Sequence, residues 1–253
     1  MFQKVKSFII FLLKSKNKHG VHSPFVFKLI TTCFQNKIPN KYLNIFLKYR
    51  KELSINTSTI IANELTSGSK NFSPKKKKIS RIVKISNKRG ELLMNLMKYF
   101  NPNNILEVGS SIGLSTAALS ISAPNSKITT LETCKDTGNI AMEMFKKYNL
   151  KNIKLVIGEV ESTLPKELKD NVFDFICFNG NKGTIIEYFE SCLSCINNNS
   201  VLLFNNIHVN KKNEKAWGEI KNHPKVTVTI DTYLWGVVFF RKEQQKEHFT
   251  IRI

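Results

Sequence analysis

The stretch Ile105-Leu-Glu-Val-Gly109-Ser-Ser-Ile-Gly113-Leu-Ser-Thr116 decides the fold. Ile105 to Val108 read as a short buried strand, and a glycine turn then leads into a helix expected over Ser115 to Ile121. This is the first strand-turn-helix step of a doubly wound sheet. Gly109 and Gly113 let the backbone turn tightly and come close to a ligand, while the N–H groups that open the helix face an anionic group. Alone, such a turn suits a phosphate or no ligand at all. The next apolar run, Ile128-Thr-Thr-Leu-Glu132, ends in an acid 19 residues after Gly113. A carboxylate at that place can accept both hydroxyls of a ribose.

Outward from this unit, the chain from Gly90 alternates strand-like and helix-like runs, the signature of a parallel sheet covered on both faces. Strands are expected at Ile105 to Val108, Ile128 to Leu131, Ile153 to Ile157, Phe173 to Phe178 and Val201 to Phe204. Helices are expected at Ser115 to Ile121, Asn139 to Tyr148, Leu164 to Lys169 and Ile185 to Ile196. Two further strands, Val226 to Ile230 and Trp235 to Phe240, are joined only by Asp231 to Leu234. A parallel crossover takes a dozen or more residues, so this pair should be an antiparallel hairpin. The fold class is therefore α/β, a Rossmann-like, mostly parallel sheet of seven strands. Before it, Phe2 to about Leu65 reads as helical, broken by Gly20, Pro24 and Pro39, and Thr66 to Lys78 reads as an exposed loop. The domains expected are a helical extension over residues 1–85 and the α/β domain over residues 86–253.

The 253 residues carry 39 Lys and Arg against 19 Asp and Glu. The excess is local. Residues 1–89 hold 20 of the bases and two acids, Glu52 and Glu64. A basic third of this kind attracts an anionic partner, nucleic acid or an anionic membrane surface. A lysine-rich composition bias is the other reading, although it does not account for the scarcity of acids before Glu91. The apolar run Phe8 to Leu13 is too short for a secretory signal or a membrane span, so the N-terminus is expected as a basic amphipathic helix that packs on the domain or lies on a membrane surface. Five cysteines, an odd number without secretory context, predict reduced thiols and a cytoplasmic location. Cys192 and Cys195 form a C-x-x-C read as helix residues, because no second pair or nearby His completes a zinc set.

The glycine turn resembles the first motif of class I methyltransferases, E/D-x-G-x-x-x-G, and five strands with helical crossovers followed by a hairpin match their variant of the doubly wound fold. The resemblance is to the catechol and caffeoyl-CoA O-methyltransferase-like group. It is closer still to uncharacterised bacterial relatives that share the segment K-H-G-V-H-S-P-F, here Lys18 to Phe25, and the ending V-F-F-R-K-E-Q, here Val238 to Gln244. It implies an S-adenosyl-L-methionine cofactor with its amino-acid end over the glycine turn, where Ser115 can reach the carboxylate. It also implies a ribose on Glu132 and an adenine beside Gly158-Glu159-Val160. The cofactor residues expected are Glu107, Gly109, Ser110, Gly113, Ser115, Glu132, Glu159 and Asn179.

The fourth and fifth strands end in Asn179-Gly-Asn-Lys182 and Asn205-Asn206-Ile-His208, at the edge where such sheets bind ligands. In the resembling group these ends carry Asp and Asp-Asn, which hold a divalent ion against the acceptor oxygens. Here all three positions are Asn. Neutral amides do not offset dehydration of a hard cation, so no tightly bound metal is expected. Lys182 aligns with the lysine base of catechol-type enzymes, and His208 is the second catalytic candidate; either also reads as a packed or solvated residue. His19 and His22, which could cover an acceptor pocket, read as structural. The function expected is methyl transfer to an oxygen of a small-molecule acceptor. The alternatives are an RNA or protein methyltransferase that uses the basic N-terminal third, and a degenerate member that keeps only cofactor binding.

Overall fold

The computed structural model describes residues 2–65, 72–83, 85–179 and 185–253. The first elements are α1 (Phe2–Lys14), α2 (Pro24–Leu29), α3 (Asn40–Ile55), β1 (Thr59–Leu65), β2 (Phe72–Lys78) and α4 (Asn87–Phe100). There follow β3 (Asn104–Val108), α5 (Leu114–Ser122), β4 (Lys127–Glu132), α6 (Lys135–Lys147), β5 (Ile153–Ile157) and α7 (Val160–Leu168). The chain ends with β6 (Phe175–Phe178), α8 (Ile185–Cys192), β7 (Val201–Asn205), α9 (Lys211–Asn222), β8 (Val228–Asp231), β9 (Trp235–Phe239) and β10 (Glu247–Thr250). The central sheet has eight mostly parallel strands, and two compact units contain them: Asn36–Lys166, and Met1–Gln35 with Glu167–Ile253.

In the unit Asn36–Lys166, β3, β4 and β5 pair in parallel, in register from Ile105 with Ile128 and from Ile128 with Ile153. Ile105, Leu106, Ile128 and Leu131 are buried, as strands covered on both faces require. Every residue of α5 is buried. The helix α3 buries Phe46, Tyr49 and Leu53 at helical spacing and ties to the end of α6 through Glu52, which pairs with Lys147 and accepts a hydrogen bond from Tyr148 Oη at 3.1 Å.

Two expectations fail in this unit. Residues 59–65 are a strand rather than a continuation of the helices, and residues 72–78 of the expected loop form its antiparallel partner, with Ile61 opposite Lys76 and Ile60 opposite Lys77. The β-branched run Thr59-Ile-Ile favours extended backbone, and the lysines of β2 suit a strand that must not recruit another chain. Residues 66–71 lie outside the described residues. The hairpin is pinned to the start of α6: Ile61 N–H donates to Asp136 Oδ2 at 3.0 Å, and Cys134 Sγ donates to the Ile61 carbonyl at 3.2 Å.

In the other unit, β6 pairs in parallel with β7, β9 lies antiparallel between β7 and β8, and β10 joins β8 in parallel. The terminal antiparallel hairpin is present as expected. The strand β10 is the eighth, against seven expected; Glu-His-Phe-Thr has little apolar pattern, and its place comes from backbone pairing with Val228 to Asp231. The segments Lys18 to Phe25 and Val238 to Gln244 meet here. Phe25 sets its ring edge-on against Phe239 at 5.0 Å, with the Arg241 guanidinium 4.9 Å from its centroid. Ser23 caps α2 by accepting from Val26 N–H, and Pro24 occupies the first turn, where its missing N–H costs nothing. Cys192 ends α8, whereas Cys195 lies in the turn beyond it rather than in the helix; both are buried and unbridged.

Candidate functional site

The strand β3 delivers its backbone into a turn that only unusual dihedrals can make. Gly109 has φ 94° and Gly113 φ 77°, both in the region that disfavours a side chain, and Ser111 between them is at φ 52°. Gly109 and Ser110 both donate to the Leu131 carbonyl, at 2.9 and 3.2 Å, which draws the turn against the end of β4. A Cβ at Gly113 would stand 2.7 Å from Phe145. α5 starts at Gly113 without a side-chain cap. The Ser110 hydroxyl is buried and has no hydrogen-bond partner among the described residues. A buried hydroxyl left unpaired is costly.

Glu132 ends β4 beside this turn. One oxygen accepts from Ser111 N–H at 2.6 Å; the other accepts from Cys134 N–H at 2.9 Å and Thr137 Oγ1 at 3.1 Å. A carboxylate has about four acceptor positions, so about one remains. The Thr137 hydroxyl, also 3.0 Å from the Cys134 carbonyl, can turn its one proton there and free a second position. Glu107 is fully buried and accepts from Thr116 Oγ1 at 2.5 Å and Thr130 Oγ1 at 2.7 Å. Burial pushes its carboxyl up from the ordinary range; hydrogen bonds from Ser115, Thr116 and Thr130 oppose that, and the nearby Glu132 adds to it. Ser115 thus points to Glu107 inside the protein. Glu159 is exposed, and its carbonyl caps the start of α7 by accepting from Ser162 and Thr163 N–H. The turn, Ser110, Glu107, Ser115 and Glu132 are brought together; Thr116, Thr130, Ser111 and Thr137, which support them, carry no pattern in the sequence.

The strand ends of the other unit carry the remaining candidates. Asn179 Oδ1 accepts from Cys177 Sγ at 3.3 Å and from Asn205 Nδ2 at 3.5 Å, so these two amides face one another. Asn206 sits at φ 59°, a conformation asparagine tolerates, and donates its N–H to the Leu234 carbonyl at 2.7 Å. Lys182 lies outside the described residues. His208 directs both ring nitrogens at carboxylates: Nε2 is 2.7 Å from Asp231 Oδ2 and Nδ1 is 3.4 Å from Glu214 Oε1. Burial alone would lower its pKa, but Asp231 and then Glu214 outweigh burial and hold it above the ordinary value. Tyr233 stacks on the ring at 5.4 Å and is itself forced to φ 69°. His19 and His22 are exposed.

A Rossmann-like sheet whose first βα turn meets a strand-end acid is the architecture of class I methyltransferases. The chain belongs to the O-methyltransferase family, whose model matches residues 55–245. It is 31% identical over 118 residues to a Dictyostelium discoideum protein described as "Probable caffeoyl-CoA O-methyltransferase 3", covering 44% of this chain and 47% of that one. To a caffeoyl-CoA O-methyltransferase of Stellaria longipes it is 24% identical over 123 residues, covering 46% and 51%. The chain thus spans about half the length of the curated relatives it matches. Its fold is that of an SAH-bound methyltransferase from Podospora anserina, with TM-score 0.60, 17% identity and coverage of 88% of this chain and 97% of that one. It is likewise that of the O-methyltransferase TomG from Streptomyces achromogenes in complex with SAM, with TM-score 0.57, 14% identity and coverage of 82% and 92%.

Proposed function

We propose that the chain is an S-adenosylmethionine-dependent methyltransferase acting on an oxygen of a small-molecule acceptor, without a tightly bound metal. The observation that carries this reading is the turn at Gly109 to Gly113, where the orphaned Ser110 hydroxyl lies next to Glu132, whose carboxylate the Ser111 N–H already holds. These residues fit the cofactor: Ser110 offers a donor to its carboxylate, and Glu132 offers an acceptor to its ribose. When bound, S-adenosylmethionine supplies an activated methyl group on its sulfonium sulfur. The protein's own contribution is to hold the acceptor oxygen in line with that methyl and to exclude water. Lys182 is the proposed base, on the strength of its position after Asn179. His208 acts as a positioning residue, because its two nitrogens are engaged by Asp231 and Glu214.

The donor set at the strand ends does not suit a hard divalent cation: Asn179, Asn205 and Asn206 are neutral, and the Asn179 oxygen already faces protein donors. The buried, unbridged cysteines support a reducing, cytoplasmic setting. The excess of bases in residues 1–89 supports an anionic partner, nucleic acid or a membrane surface, in addition to the acceptor. Methyl transfer from labelled S-adenosylmethionine to a panel of hydroxyl-bearing small molecules, with and without EDTA, tests the reading. Product should form equally in both, and Lys182→Met should lower its rate roughly 100-fold. Abolition of turnover by EDTA would contradict metal independence.

A further inference from the structure

The helix α1 is built the wrong way round for a helix that only packs. Its inner stripe, Ser7, Phe11 and, just past its end, Ser15, is buried and two-thirds serine. Ser7 Oγ donates to Glu214 Oε1 at 2.5 Å, and Phe11 and Phe8 rest on the Tyr233 ring at 5.4 and 4.9 Å. The opposite face carries Val5, Ile9, Leu12 and Leu13, the i, i+4, i+7, i+8 spacing of an apolar stripe, and these are 52%, 51%, 38% and 82% exposed. Lys6, Lys14 and Lys16 are exposed around it. No acid occurs before Glu52. These residues also precede the part of the chain that the family model matches.

We propose that this outer face of α1 docks on an anionic membrane surface, the helix lying in the interface with its apolar stripe among the acyl chains and its lysines at the headgroups. The inference narrows the anionic-partner reading above to a lipid surface and to one helix, and it does not depend on methyl transfer. Charge chooses the occupant. A second copy would set Lys6, Lys14 and Lys16 against the same lysines, whereas anionic headgroups complement them. Length agrees, since none of the helices among the described residues is long and apolar enough to cross a membrane. The 13 residues of α1 suffice to lie on a membrane surface.

Flotation of the full chain with vesicles of phosphatidylcholine mixed with phosphatidylglycerol, and with phosphatidylcholine alone, tests this, with binding to a single-stranded RNA oligonucleotide and sedimentation measured in parallel. The wild type should float with the mixed vesicles. Partitioning should fall at least about tenfold on phosphatidylcholine alone, and equally in the variant Ile9→Glu/Leu13→Glu, whose positions are exposed and leave the fold intact. A milder variant, Lys6→Gln/Lys14→Gln, should weaken binding most at low salt, the difference from the wild type shrinking as salt rises. Undiminished flotation of Ile9→Glu/Leu13→Glu would overturn the proposal. So would a wild-type dimer that this variant dissolves, because a second copy then covers the face. Binding of RNA but not vesicles overturns the assignment to lipid alone, whereas binding of neither also ends the anionic-partner reading.

Discussion

Gly113 meets two demands at once, a positive φ of 77° and the absence of a Cβ that would press on Phe145 at 2.7 Å. Gly113→Ala should therefore cost about 2–4 kcal/mol, from the left-handed backbone and the overpacking together, as measured by urea unfolding. A cost below the error of the measurement would mean that the turn relaxes freely. His208 is the other residue whose surroundings set its behaviour. Its pKa is raised in the fold by Asp231 and Glu214 against the burial that lowers it, relative to an unfolded value of about 6.5. The stability it contributes is fully present below that unfolded value and is lost as pH rises through the higher folded one. Melting temperature followed across neutral pH should thus fall more steeply in the wild type than in His208→Gln; parallel curves would show that the ring carries no linked proton. In the sequence, Gly113 and Glu132 stand out by their places after apolar runs and by their spacing of 19 residues. The carboxylates around His208 were not legible, since Glu214 comes from a helix and Asp231 from a strand that only the fold brings together.

At the scale of elements, β3, β4, β6 and β7 are readable because strands covered on both faces are largely apolar runs, whereas the edge strand β5, with Lys154 exposed, is readable from its β-branched residues. The hairpin of β1 and β2 was not readable for the opposite reason. Its second strand, Phe-Ser-Pro-Lys-Lys-Lys-Lys, has the composition of a loop and is held by main-chain pairing that no side-chain pattern announces. One carboxylate fastens it to α6. Asp136→Ala should remove the acceptor for Ile61 N–H and loosen the hairpin by roughly 1 kcal/mol, with faster amide exchange along residues 59–65. Unchanged exchange there would assign the attachment to other contacts. The end of β7 shows the same division: Asn205 and Asn206 were evident in the sequence, but the turn of Asn206 against Leu234 depends on the β8–β9 connection.

Over the whole molecule, charge and chemistry are unevenly distributed. The bases concentrate in residues 1–89, the glycine turn and its acid lie within Asn36–Lys166, and the strand ends with three asparagines lie within Glu167–Ile253. The family model matches residues 55–245, so α1, α2 and all of α3 but its last residue lie before the matched region. The methyltransferase reading rests on the glycine turn and Glu132 before it rests on any acceptor, because the strand ends carry Asn179, Asn205 and Asn206. Calorimetric titration of the full chain and of Glu132→Gln with S-adenosylhomocysteine therefore tests the account most directly. The wild type should bind one equivalent, and the variant, which loses a charged acceptor beside the turn, should bind about tenfold more weakly. A wild type that gives no heat of binding by any titration order, or a variant that binds as tightly, would contradict it.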